Sequence, residues 1–156
     1  MSSIEIKSFE KGQETSVSRL ISEVYDEFVA PGYTAEGNAF FHAFIEPASI
    51  LKRHERQNNL LLAFNGGILA GMIEMRDNNH VSLLFTRKEF MGKGIARELL
   101  REGILVCLSR KASTPKIYVH ASPYSIPIYE RLGFQASGLL MQNNGITYLP
   151  MEMKLF

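Results

Sequence analysis

The chain has 156 residues, 46% of them hydrophobic and 21% charged, with a formal net charge of +1. That length suits one domain over residues 1–156 with a sizeable core, and so small a charge leaves no global field to draw the chain to nucleic acid or an acidic membrane. The only cysteine, Cys107, sits among Leu105, Val106 and Leu108, which excludes a disulfide framework, offers no metal site and fits a reducing interior. The opening segment MSSIEIKSFEKG lacks the apolar stretch of a signal peptide, and no run approaches a membrane span, so the expected location is cytoplasmic.

Residues 4–9 (IEIKSF) alternate apolar and polar, the pattern of a first strand. Val17, Leu20, Ile21, Val24, Tyr25 and Phe28 recur at helical spacing and predict an amphipathic helix ending near Pro31-Gly32. A shorter helix carries Phe40, Phe41, Phe44 and Ile45 and should break at Pro47, with a further turn around Ile50, Leu51 and His54. NLLLAF, ILAGMIEMR and HVSLLFT, separated by Gly66-Gly67 and Asp77-Asn78-Asn79, predict a three-stranded antiparallel meander. A helix from about Gly94 to Arg110 follows, apolar over a wide face and so deeply buried. KIYVHA predicts a strand, SIPIYERLG a short helix with Pro127 in its first turn and Gly133 closing it, and FQASGLL and ITYLPMEMKLF the last strands. The order βααβββαβαββ implies an α/β domain around one mixed sheet.

The stretch FMGKGIARELL demands an explanation. Glycine weakens a helix interior by roughly 1 kcal/mol relative to alanine, and is useful where backbone must turn sharply or approach something closely. A strand, a loop and a helix opening on GKGIA gather main-chain amides that lack intrahelical partners, at the positive end of the helix dipole. That is a design for a phosphate group. Arg87, Lys88, Lys93 and Arg97 lie nearby, countered locally by Glu89 and Glu98. Lys93 is followed by Gly94 where a Walker A loop needs Ser or Thr, and Arg97 stands where the dinucleotide fingerprint needs its third glycine. A tight strand-to-helix turn without a ligand is the plain alternative.

Met91, Gly92, Lys93, Gly94, Ile95 and Ala96 resemble the acyl-coenzyme A loop of the GNAT superfamily, in which Gln or Arg is followed after two residues by Gly-x-Gly/Ala. Met91 occupies the Gln/Arg position here. Farther on, YVHASPYSIPIYERLGF is similar to the strand-then-helix segment of that superfamily that ends in a tyrosine, a basic residue and Leu-Gly-Phe. The resemblance spans about residues 60–135. It implies a GNAT-like fold with a central mixed, mostly antiparallel sheet flanked by helices. It further implies an N-acetyltransferase using acetyl-CoA as cosubstrate and no metal, acting on an amine of a small molecule or peptide. A homodimer through the C-terminal edge strand is a further expectation; nucleic acid and membrane are not expected partners.

By the same resemblance, the backbone of Leu84, Phe85 and Thr86 should pair with the pantetheine arm, an amide near Phe85 pointing at the thioester oxygen. The loop Met91, Gly92, Lys93, Gly94, Ile95 and Ala96 should hold the pyrophosphate, Arg87, Lys88, Lys93 and Arg97 are equal choices for the outer phosphates, and Ser122 and Ser125 should line the cofactor. Tyr129 matches the tyrosine that protonates the departing sulfur; packing against Phe134 is its structural alternative. Glu74 is the candidate general base, balanced against a solvated strand residue, with His80 as the other titratable choice or a mere support of its turn. Glu27 and Tyr33 are placed near the acceptor by topology alone. Phe40, Phe41 and Phe44 could line an apolar acceptor cleft or belong to the core. A non-catalytic acyl-CoA sensor on the same fold is the competing function.

Overall fold

The computed structural model describes residues 3–155; Met1 and Ser2 of the opening segment and Phe156, the expected end of the last strand, lie outside them. The chain runs β1 (Ile4–Ser8), α1 (Glu14–Val24), α2 (Ala35–Phe44), α3 (Pro47–Glu55), β2 (Asn59–Asn65), β3 (Ile68–Arg76), β4 (His80–Thr86), α4 (Ile95–Arg110), β5 (Lys116–Ala121), α5 (Ile126–Arg131), β6 (Gln135–Ala136), β7 (Met141–Asn143) and β8 (Ile146–Lys154). The strands form one mixed sheet in the order β1-β2-β3-β4-β5-β8-β6, with β7 paired to β8. Every pairing is antiparallel except β4 with β5. This is the α/β architecture expected from the sequence. Among the described residues no helix is long and apolar enough to cross a membrane.

The consecutive apolar residues of β2 are explained by cores on both sheet faces. Leu61 and Ala63 join Ile73, Val81, Ile117 and Val119 beneath α4, whereas Leu60 and Leu62 join Met72 and Leu83 beneath α1 and α3. Ile95 and Leu99 of α4 are fully buried, contributing about 1.5–3 kcal/mol each. Gly71 lets the first turn of α4 sit close to the sheet. A Cβ there would lie 3.1 Å from Ile95 and 3.2 Å from Leu99. This contact sets the start of α4 beside the end of β4.

The structure departs from the sequence reading in four places. The first helix continues after Val24 as a π turn over Tyr25–Val29 and a 3₁₀ turn over Ala30–Gly32. The widened turn brings Tyr25 and Val29 inward instead of Phe28. The turn expected around Ile50 is a full helix, α3, with Pro47 at its start. FQASGLL is extended only over β6, and an unexpected hairpin joins β7 to β8 through Asn144 and Gly145 at φ 53° and 77°. Finally, α4 buries one face rather than a wide one, and Leu105 is 49% exposed.

Candidate active site

The parallel strands β4 and β5 pair only at His80 with Tyr118 and Val81 with Val119. Directly beyond, Glu74 pairs with Leu83 while Met75 pairs with Val81, which leaves Ser82 as the extra residue of a bulge. A bulge bends its strand and increases twist, and here the two strands part. The gap opens a cleft of about 510 Å³ lined from β4, the start of α4, α5 and the segment between α1 and α2.

The cleft edge of β4 has main-chain groups to offer. The Arg87 amide donates to the Ala70 carbonyl at 2.7 Å. Alternation along an antiparallel ladder therefore turns the groups of Phe85 toward β3 and those of Leu84 and Thr86 toward the cleft. The cleft-facing amides are thus those of Leu84 and Thr86, a shift of one residue from the amide expected near Phe85. All three residues line the cleft.

At the far end, Gly92 and Gly94 hold φ values of 78° and 82°, which only glycine adopts without strain. The first intrahelical bond of α4 runs from the Glu98 amide to the Gly94 carbonyl. Among the described residues, none of the amides from Gly92 to Arg97 donates to a backbone acceptor. A Cβ built at Gly92 or Gly94 would meet nothing within 4 Å, so the space before these amides is open. Unpaired donors at the positive end of a sixteen-residue helix form a cradle fit for a diphosphate. Met91, Gly92, Gly94, Ile95, Ala96 and Arg97 line the cleft; Lys93 does not, and its ammonium sits 5.5 Å from the Phe90 ring centroid.

The four basic side chains separate on inspection. Lys88 is held by Glu27 at 2.8 Å, a hydrogen bond that raises its pKa. Arg87 is outside the cleft lining and its Nε is buried without a partner. Arg97 lines the cleft and donates to the Arg131 carbonyl at 3.2 Å, so it also fixes the end of α5. Arg131, which the sequence reading did not single out, lines the cleft too.

Tyr129 of α5 is in the cleft wall, 7% exposed, with its ring edge-on to Phe134 at 5.4 Å. Burial, and secondarily Tyr33, pushes its phenol above the usual tyrosine range. Burial also pushes Tyr33 up to about 12, opposed by a hydrogen bond with the Ser122 side chain. Ser122 and Ser125 line the cleft and their hydroxyls hydrogen-bond to each other.

Glu74 is placed elsewhere. It does not line the cleft and is 1% exposed. Arg53 of α3 donates from Nε at 2.7 Å and from an Nη at 3.2 Å, and Asn58 donates at 2.9 Å. The carboxylate is committed to a buried ion pair. His80 is also outside the lining; its ring meets His120 edge-on at 4.8 Å, and burial lowers its pKa to about 4. His120, absent from the sequence-based candidates, does line the cleft. It stacks on Tyr148 at 4.4 Å, and burial holds its pKa below the usual histidine value. It is the neutral imidazole of the site at pH 7.

The wall opposite β4 is aromatic. Tyr25 and Phe41 lie parallel with centroids 3.8 Å apart, and the Tyr25 hydroxyl donates to Asn38 at 2.7 Å. Of the three phenylalanines of α2 singled out in the sequence, only Phe41 lines the cleft. Phe40 is 52% exposed, and Phe44 lies under the Arg53 guanidinium at 3.7 Å. Tyr33 is in the lining and Glu27 is not.

The family model described as Acetyltransferase (GNAT) domain matches residues 29–155. Solved structures of similar fold include a GCN5-related N-acetyltransferase from Rhodopseudomonas palustris, 18% identical over 99% of this chain and 98% of that one, with a TM-score of 0.83. The PaiA N-acetyltransferase of Thermoplasma acidophilum, in complex with coenzyme A, is 20% identical over 97% and 99%, with a TM-score of 0.76. An aminoglycoside 6′-N-acetyltransferase complexed with coenzyme A is 13% identical over 97% of each chain, with a TM-score of 0.71. No curated protein matches the sequence significantly.

Proposed function

Because the chain belongs to the GNAT acetyltransferase family, we propose that it is an N-acetyltransferase. It transfers the acetyl group of acetyl-CoA to the primary amine of a small molecule or peptide, by direct attack while both are bound. The observation that carries this reading is a single cleft with a row of unpaired amides from Gly92 to Arg97 at one end and Tyr129 in its wall. Two of the solved structures of similar fold are complexes with coenzyme A, which supports the choice of donor.

The thioester supplies the electrophilic carbonyl. The amides at the start of α4 hold the diphosphate, with Arg97 and Arg131 as its charged neighbours. The Leu84 and Thr86 edge of β4 orients the pantetheine arm as an added strand, and one of its amides polarises the carbonyl oxygen. Tyr129, whose phenol burial raises above the usual range, keeps its proton at neutral pH and stands ready as the donor for the departing sulfur. His120, neutral and in the lining, takes the proton that the amine loses; this role passes to it from Glu74, whose carboxylate is occupied by Arg53.

The test is release of free thiol from acetyl-CoA on addition of amines, beside calorimetric titration with CoA. Binding of CoA with amine-dependent thiol release is expected. Tight CoA binding with no turnover on any amine favours the sensor, and a folded protein that ignores millimolar CoA overturns both readings.

A further inference from the structure

The acceptor end of the cleft has a definite chemical character. Among the described residues, no aspartate or glutamate lines it. Two carboxylates of the π turn beside Phe41 are engaged, Asp26 by His42 at 2.8 Å and Glu27 by Lys88 at 2.8 Å, and Glu74 of β3 is held by Arg53 and Asn58. Its phenols are neutral, since burial pushes those of Tyr25, Tyr33 and Tyr129 upward. The fixed charges in the lining are Arg97 and Arg131, both set beside the diphosphate in the reading above, so the acceptor wall carries none.

With no carboxylate in the lining, an ammonium has only the faces of a few rings to offset its desolvation, and each further ammonium on an acceptor adds an unpaired charge. Surface for an apolar body is present instead. Phe41, half-buried, lines the cleft beside Val29 and Tyr33, and the fully buried Tyr25 ring, placed by the π turn, backs it as a parallel slab. Asn38 accepts from the Tyr25 hydroxyl, which fixes that ring in place behind Phe41.

We propose that the acceptor is a monoamine with an aromatic or other apolar body, seated against Val29 and the Phe41 ring that Tyr25 backs, and not a polycation. This rests on the acetyl-CoA reading above. The amine sheds its proton on entry and only then becomes a nucleophile. The nitrogen lone pair forms the new N–C bond, the C–S bond breaks, the nitrogen gives its surplus proton to His120, and the sulfur leaves with its electron pair and takes a proton from Tyr129.

The experiment compares 2-phenylethylamine, spermidine and kanamycin as acceptors by thiol release, with CoA binding measured separately by calorimetry. The expected result is a kcat/KM for 2-phenylethylamine at least about 10-fold above either polycation. Phe41→Leu should raise the KM for 2-phenylethylamine about 5- to 10-fold and leave the KM for acetyl-CoA unchanged. 2-Phenylethanol, which has the same body without the amine, should compete with the acceptor in the unaltered protein, a readout independent of any variant. Spermidine or kanamycin as the better acceptor, or no competition by 2-phenylethanol, overturns the inference while leaving the acetyltransferase intact. Failure to bind CoA at all overturns the reading beneath it.

Discussion

Arg53 reaches from α3 to the sheet and places its Nε 2.7 Å from Oε2 of Glu74, with the two side chains 16% and 2% exposed. The guanidinium is further fixed by a hydrogen bond to the Phe44 carbonyl and by the Phe44 ring beneath it. This pair joins the helical layer to β3, and it decides how a carboxylate in the middle of a strand is used. Glu74→Gln leaves a nearly buried guanidinium without its counter-charge, and the expected loss is about 3–5 kcal/mol of stability. The denaturation midpoint measures it, and kcat per folded molecule should be unchanged. A general base would give the reverse, a kcat lowered by about 10²- to 10⁴-fold with the midpoint intact.

The phosphate cradle is tested at Gly94, the residue before α4, whose φ of 82° disfavours any side chain. Gly94→Ala costs about 1–2 kcal/mol in backbone strain. Its methyl group also enters the open space before the unpaired amides. Calorimetry should show CoA affinity falling by more than the loss of folded protein explains. Lys93→Ala, at a side chain outside the cleft, should change CoA affinity far less. Equal affinity for CoA in Gly94→Ala and the unaltered protein would sink the cradle.

These two sites mark the limit of what the sequence discloses. The start of α4 is written locally, because positive φ and unpaired helix amides each demand particular residues at particular positions. The β2–β4 meander is local too, its turns carried by Gly66-Gly67 and by Asp77 and Asn78 at positive φ. The fate of Glu74 depends on a residue 21 positions away on another element, and alternation of apolar residues carries no record of that partner. The π turn inserts one residue into a helical turn, so a strict 3.6-residue spacing selects Phe28 where Val29 is buried. His120 faces the cleft only because β4 and β5 separate after two paired positions, which is a property of the whole sheet. The β7–β8 hairpin had a local signal, Asn144-Gly145, a dipeptide suited to a two-residue turn.

Tyr129 connects the fold to the chemistry most directly. Tyr129→Phe preserves the edge-on ring contact with Phe134 and should leave the melting temperature close to that of the unaltered protein. Loss of a proton donor should lower kcat by about 10²-fold or more with little change in the KM for acetyl-CoA. The phenol is raised above its ordinary value, so its protonated form persists as pH rises. No loss of rate from this group is expected below about pH 10. An unchanged kcat in Tyr129→Phe would reduce the residue to packing.

His80 gives the fold a pH dependence of its own. Its folded-state pKa is about 4 against an ordinary 6.5, set by burial, by Arg76 and by His120, with Asp77 opposing. Below pH 6.5 the unfolded chain binds a proton that the folded chain refuses, so stability falls as pH falls and the loss is complete near pH 4. His80→Phe keeps a ring against His120 and removes the titration. Between pH 7 and 4.5 its melting temperature should therefore drop less than that of the unaltered protein. His120, with a lowered pKa as well, accepts a proton only when neutral, so kcat should fall on the acid side of neutrality, and His120→Phe should lower kcat and abolish that limb. Identical stability curves for His80→Phe and the unaltered protein would show that the buried imidazole costs the fold nothing. A retained acid limb in His120→Phe would return the search for the proton acceptor to a water molecule in the cleft.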